Sequence, residues 1–255
     1  MEQLKFVSKC PKNAFNKLPA EVVVYQITED LYQSLVDEAA AIVKGHYLSE
    51  SRVQAILKKW GRNKLAKYIE QLLPLTKKGR SGHLGEILAT EYVNNNGLGY
   101  EVPIKRLRWK DGRDCAMRGE DILGFTFDQK PMRFLKGESK SRMALTSAVV
   151  NAARKGLEKN SSLPQSHTLI FIVERLIEVK QHEKAEQIQE YVLSKIPDKA
   201  QVDHLIFTFS GNDPFELLKA DVKNVKRGTK HYSVGFFVKE HQKAIKEVFE
   251  KAQHV

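Results

Sequence analysis

Between Arg118 and Lys140 the chain reads RGEDILGFTFDQKPMRFLKGESK, and this stretch restricts the fold more than any other. Asp121, Leu123, Phe125 and Phe127 alternate with Ile122, Gly124 and Thr126, and the aromatic and branched side chains suit a pleated surface. Asp128-Gln129-Lys130-Pro131 is a polar turn, with Pro131 at a strand start, where proline is tolerated. A return strand is expected over residues 132–139. In an antiparallel pair the start of the first strand lies beside the end of the second. Seventeen residues separate Asp121 from Glu138, so Asp121, Glu138 and Lys140 are expected side by side. Side chains two apart share a face, so Glu138 and Lys140 point one way and Ser139 the other.

Two carboxylates and a lysine at one point suit a metal site for phosphodiester cleavage. Mg²⁺, or Mn²⁺ in its place, is a hard ion that prefers carboxylate and water oxygens. It polarises a phosphate, helps deprotonate the attacking water and stabilises the leaving oxygen. A lysine beside it orients water or offsets transition-state charge, and the Ser139 carbonyl is a candidate further ligand. The alternative is an exposed hairpin with solvated charged ends. Clustering of the charges at one expected end favours the site, and so does a third carboxylate upstream. That carboxylate is Glu86, on a helix expected to begin near Gly82 and to run through HLGEILATEYV. Leu84, Ile87, Leu88 and Tyr92 form its apolar stripe. Glu86 lies at the stripe's edge, and a partly buried carboxylate needs a partner, either a shared metal or Lys140. Glu91, on the other edge, is a weaker candidate. Asn94-Asn95-Asn96-Gly97 is the stop signal.

The order of these parts (helix with Glu, strand, strand opening with Asp, strand closing with Glu-x-Lys, then a helix) resembles the PD-(D/E)xK nuclease superfamily. HLGEILATEYV, RGEDILGF and FLKGESKS followed by an alanine-rich helix are similar to the nuclease subunit of the Hachiman antiphage system, HamA-like, over roughly residues 80–180. The resemblance implies that Glu86 is the helix carboxylate, Asp121 and Glu138 the strand metal ligands and Lys140 the motif lysine. Glu120 stands where the superfamily often has proline. It further implies a restriction-endonuclease-like core, DNA as substrate and a superfamily 2 helicase partner (HamB-like) that controls the activity. The chain has no G-x-x-x-x-G-K-[ST] loop, so an ATP-driven step is expected from that partner.

A net charge of +11 in 255 residues agrees with a phosphate polymer as ligand. Basic residues bracket the carboxylates: Lys77, Lys78 and Arg80; Lys105, Arg106, Arg108, Lys110, Arg113 and Arg118; Arg133, Lys136 and Arg142. They are expected to form a positive rim. Cys10 and Cys115 make no metal pattern, and reduced thiols in a cytoplasmic protein are expected. No signal-peptide core and no apolar run of membrane-spanning length is present.

The chain is expected to divide near Pro74 into a mostly helical region, 1–75, that docks a partner, and a nuclease-like domain, 76–255. Helical segments are expected over 31–43, 51–57 and 64–73, with a break near Gly61. Trp60, among Lys58, Lys59, Arg62 and Lys64, is expected in the core at a helix end, and nucleic-acid contact is the alternative. After the hairpin a helix is expected over 145–159, strands over 167–173, 204–209 and 233–238, and helices over 183–195 and 240–252. Asn151 and Arg154 are weak candidates to face the site, and His83 is expected as a surface imidazole. The fold class is α/β, a mixed central sheet flanked by helices. Two readings besides the DNA nuclease stay open: a non-catalytic DNA-binding or docking subunit on the same fold, and an RNA-directed nuclease.

Overall fold

Residues 202–210 and 231–237 are rich in aromatic and branched side chains and are buried almost throughout, the mark of strands covered on both faces. In the computed structural model, which describes residues 4–115, 119–194, 201–226 and 228–253, they form β5 (Val202–Ser210) and β6 (His231–Phe237) at the centre of the sheet. The sheet has six strands among the described residues, in the order β1-β2-β6-β5-β4-β3. Its outer members are β1 (Lys12–Lys17), β2 (Ala20–Gln26), β3 (Ile122–Phe125) and β4 (Phe134–Arg142). β2, β6, β5 and β4 run parallel, and β1 and β3 close the two ends antiparallel. β1 is an exposed edge with lysine at both ends, which blunts pairing with another chain.

Alternate residues of β5 feed two cores. Leu205, Phe207 and Phe209 meet α1 (Glu29–Tyr47), α3 (Lys77–Asn95) and α8 (His241–Gln253) on one face. Ile206 meets α4 (Ser147–Glu158) and α7 (Phe215–Asp221) on the other. α5 (Ser166–Glu178) and α6 (His182–Ser194) pack on Leu123, Phe125 and Phe134 at the β3 end. α2 (Glu50–Leu72) is broken at Gly61, where φ is +76°, as the sequence leads one to expect.

Two expectations fail. The segment 167–173 is helical, not a strand: Leu169, Ile172, Val173 and Leu176 are buried at helical spacing while Ile170 is exposed, so the 3.6-residue period overrides the β-branched composition. β1 and β2 lie within residues 1–75 and belong to the same sheet as the hairpin, so that region, though mostly helical as expected, shares one sheet with the rest across the division expected at Pro74. Lys195 and Arg118 lie outside the described residues.

The interior holds five histidines, 46, 83, 204, 231 and 241. Burial disfavours their charged forms and pulls His46, His83, His204 and His241 from 6.5 down to about 4, and His231 well below its ordinary value. His83 is therefore a core residue, hydrogen-bonded to the Tyr47 hydroxyl at 2.8 Å, and not a surface imidazole. Each of these groups takes up a proton on unfolding between pH 6.5 and 4. The stability they allow is present above 6.5 and is lost as pH falls toward 4, at up to ~1.4 kcal/mol per pH unit per histidine. Glu86, pushed up to about 8, and Glu138, also raised, work in the opposite sense but are two groups against five. The urea midpoint is expected to fall clearly between pH 7 and pH 5, and an unchanged midpoint would refute this account.

Candidate active site

β3 starts one residue after Asp121, and its first pair with β4 is Ile122 with Gly137. Beyond Gly137 the β3-side edge of β4 has no strand partner, and the Asp121 carboxylate takes its place: the Ser139 N–H donates to Asp121 Oδ2 at 2.9 Å. Side-chain alternation along β4 then sorts the motif. Glu138 lies against α4, where Gly156 has no side chain; a Cβ there would come within 2.5 Å of Glu138 Cδ. Ser139 and Ser141 lie on the opposite face, against Gly85 of α3. Lys140 bridges the two acids, with Nζ 2.7 Å from Glu138 Oε2 and 3.7 Å from Asp121 Oδ2.

Glu86 reaches Asp121 from the α3 side. The two line one narrow cleft with Arg106, His46 and Thr90. Burial, then the charge of Asp121, pushes the Glu86 carboxyl up to about 8, against the opposing pull of Arg106 and Lys140. Glu138 is raised by burial and by Asp121, despite Lys140. Burial works against the Lys140 ammonium, but Asp121 and Glu138 outweigh it and raise its pKa, so it stays charged. Three acids thus crowd a recess whose nearest cations are Lys140 and Arg106. Such a donor set fits a hard divalent cation. Among the described residues, however, no three His, Cys, Asp or Glu side chains already converge as a metal-holding group.

The four expected residues are therefore near neighbours, in two sets. Asp121, Glu138 and Lys140 touch directly, and Glu86 joins them through its cleft with Asp121. Arg106 is the site residue that sequence reasoning missed. It was one cation in a basic run, and nothing in that run marked it as the buried one facing the acids. Glu91 is structural, bound to His46 at 2.7 Å and to Lys105 at 2.8 Å. Arg154 is bound to Asp221 and His231, away from any role at the site, and Asn151 is exposed. Glu120 is buried and accepts from the Gln165 N–H at the start of α5, which explains an acid in place of proline.

The expected positive rim is largely used elsewhere. Arg108 donates to the Gly45 carbonyl, Lys110 to Leu72, and Arg113 to Leu73 and Glu70. These are carbonyls at the C-terminal ends of α1 and α2, which lack helical partners and favour cations. Lys136 is 2% exposed and donates to the carbonyls of Lys159 and Leu163. Arg133 binds Asp203. Of the bracket, Lys77, Lys78 and Arg142 are exposed.

A mixed sheet with helices on both faces, carrying acids and a lysine where an edge strand begins, defines an α/β protein with a nuclease-like core. The family model for HamA matches residues 5–252, essentially the whole chain. The chain belongs to the HamA family and is a HamA-like subunit of Hachiman antiphage defence. No curated protein matches it significantly.

The close approach of α3 to β4 gives a test. At Gly85 an added Cβ would lie 2.9 Å from Ser139 Oγ and 3.1 Å from Ser141 Cβ, atoms of short side chains held by the strand. Alanine favours a helix by up to ~1 kcal/mol over glycine, but overpacking costs ~1–3 kcal/mol. Gly85→Ala is expected to lower the unfolding free energy in denaturant titration, and a stabilised variant would contradict the packing described.

Proposed function

We propose that this chain is the metal-dependent DNA nuclease of a two-component Hachiman antiphage system, acting in the cytoplasm under the control of a superfamily 2 helicase partner. The observation that carries the reading is Lys140 held between Asp121 and Glu138 at the open edge of β4. A binding subunit has no use for crowded carboxylates that repel phosphate, whereas a metal nuclease needs them.

Asp121 and Glu138 would hold Mg²⁺ or Mn²⁺, with Glu86 completing the acidic set. In a strand the N–H and C=O of one residue face the same edge, so the Ser139 carbonyl shares the edge from which its N–H meets Asp121. It is the candidate neutral ligand. When bound, the cation polarises the scissile phosphate and lowers the pKa of water. Ser139 N–H fixes the Asp121 carboxylate. Lys140 keeps its proton, positions water by hydrogen bonding and offsets charge gathering on the phosphate oxygens. Arg106 limits the repulsion between Glu86 and Asp121. ATP-driven steps fall to the helicase.

Plasmid degradation with Mg²⁺, with and without the helicase partner and ATP, tests the reading. Glu138→Ala is expected to abolish cutting while leaving the fold and DNA binding intact. Lys140→Ala is expected to reduce turnover about a hundredfold or more with less effect on metal affinity. Gly156→Ala reproduces the Glu138 defect, because the atoms its methyl meets are the far end of a movable side chain. It is expected to unfold within about 1 kcal/mol of the parent. Wild-type cutting by Glu138→Ala would remove the site. No cutting under any condition, with the helicase active on that DNA, would favour a binding or docking subunit. RNA offered beside DNA decides between the two polymers.

A further inference from the structure

Helix α2 carries Arg52, Lys58, Lys59, Arg62, Lys64 and Lys67, all exposed. Among the described residues none of the six is engaged by a carboxylate. The acids of the helix, Glu50 and Glu70, stand at its two ends. The basic segment 105–113, by contrast, is bound up with helix carbonyls and Glu91. Helix α2 therefore presents a group of cations free to meet a ligand, which the segment 105–113 does not.

The break at Gly61 gives that charge a shape. Arg52, Ile56, Lys59 and Trp60 before the break, and Lys64 and Tyr68 after it, line a cleft of about 560 Å³. Trp60 is not in the core, as expected from the sequence, but 55% exposed, because α2 turns this side outward at the kink. Lys59 Nζ stands 4.7 Å from the centre of its ring. A large exposed indole is costly in water unless something covers it. A flat aromatic surface ringed by mobile cations suits one class of ligand: an unpaired base stacked on the ring, with phosphates on the cations. A duplex keeps its bases inside and offers the indole nothing to stack on.

We propose that the α2 cleft binds a single-stranded segment of nucleic acid, with a base stacked on Trp60 and flanking phosphates held by Arg52, Lys59 and Lys64. The cleft shares no residue with the carboxylate site. The proposal rests on the nuclease reading only in taking DNA as the polymer. An acidic protein surface is the competing occupant.

The test uses the full chain in EDTA, where cutting plays no part, and follows the anisotropy of a fluorescein-labelled oligothymidylate of about 20 nucleotides. Trp60→Ala is expected to weaken binding about 5- to 100-fold, as loss of one stacked base implies, and Trp60→Phe to retain most of the affinity. Lys59→Ala with Lys64→Ala is expected to make the salt dependence shallower by about 1 to 1.5 in the log–log slope. A duplex of equal length is expected to compete poorly. Thermal melting checks that the exposed substitutions leave the fold unchanged. Unaltered oligonucleotide affinity in Trp60→Ala overturns the proposal, and so does loss of partner capture by that variant with oligonucleotide binding intact. Glu138→Ala is expected to bind like the parent. The nuclease reading therefore stands or falls by its cutting, independently of the cleft.

Discussion

Two helices press on opposite faces of β4 within residues 138–141, and the candidate site exists because both can come so close. Gly85 lets α3 rest on Ser139 and Ser141, and Gly156 lets α4 rest on Glu138. A methyl group at either position would intrude on the motif strand. Between these supports Glu138 has one face of the strand and Ser139 the other, while β3 stops one residue short and leaves an edge for Asp121. The acids are thus recessed by packing, and their mutual repulsion is held in by the surrounding core. Fixing charged groups before a ligand arrives is what preorganised electrostatic sites require.

Much of the basic bracket answers to the backbone. Helices leave their last carbonyls without partners, and in this chain lysines and arginines supply them: Arg108 at the end of α1, Lys110 and Arg113 at the end of α2. Such contacts tie the connection between α3 and β3 to the helical layer, and so help fix the position of Arg106 and Asp121. A large positive net charge therefore says little about where a polyanion would lie. What matters is which cations remain free once the fold has used its share, and α2 carries a run of them, while the segment 105–113 before the acids does not.

The hairpin, the α3 carboxylate and the central strands were legible because each rests on a local pattern: alternation, a stop signal, a short run rich in aromatic and aliphatic residues. Asp121, Glu138 and Lys140 follow from strand register alone. Three other features rest on information that no short window holds. Residues 167–173 have strand composition, but the burial of Leu169, Ile172, Val173 and Leu176 on β3 and β4 selects the helix. β1 lacks an apolar face and is a strand only because β2 offers it an edge. The basic segment and Trp60 were misread for a common reason. Charge and aromaticity are visible in a sequence, but the choice between an orphan carbonyl and solvent, or between core and surface, is made by the tertiary fold.

That division bears on how the two ends of the molecule work together. The carboxylate recess is shaped by backbone contacts and balances its acids against Lys140 and Arg106, so it offers an approaching polyanion no net attraction unless a cation is bound. α2 differs, with unpaired positive charge on long exposed side chains and an exposed aromatic ring lining an open cleft. Long-range attraction acts first on the exposed cations, since buried charges already paired add little to the outer field. A strand held there would be retained without being cut. Under the proposed function, capture by α2 and cutting at β4 would be separable, and an unpaired strand, such as a helicase produces, would be the form of substrate for which that separation is useful.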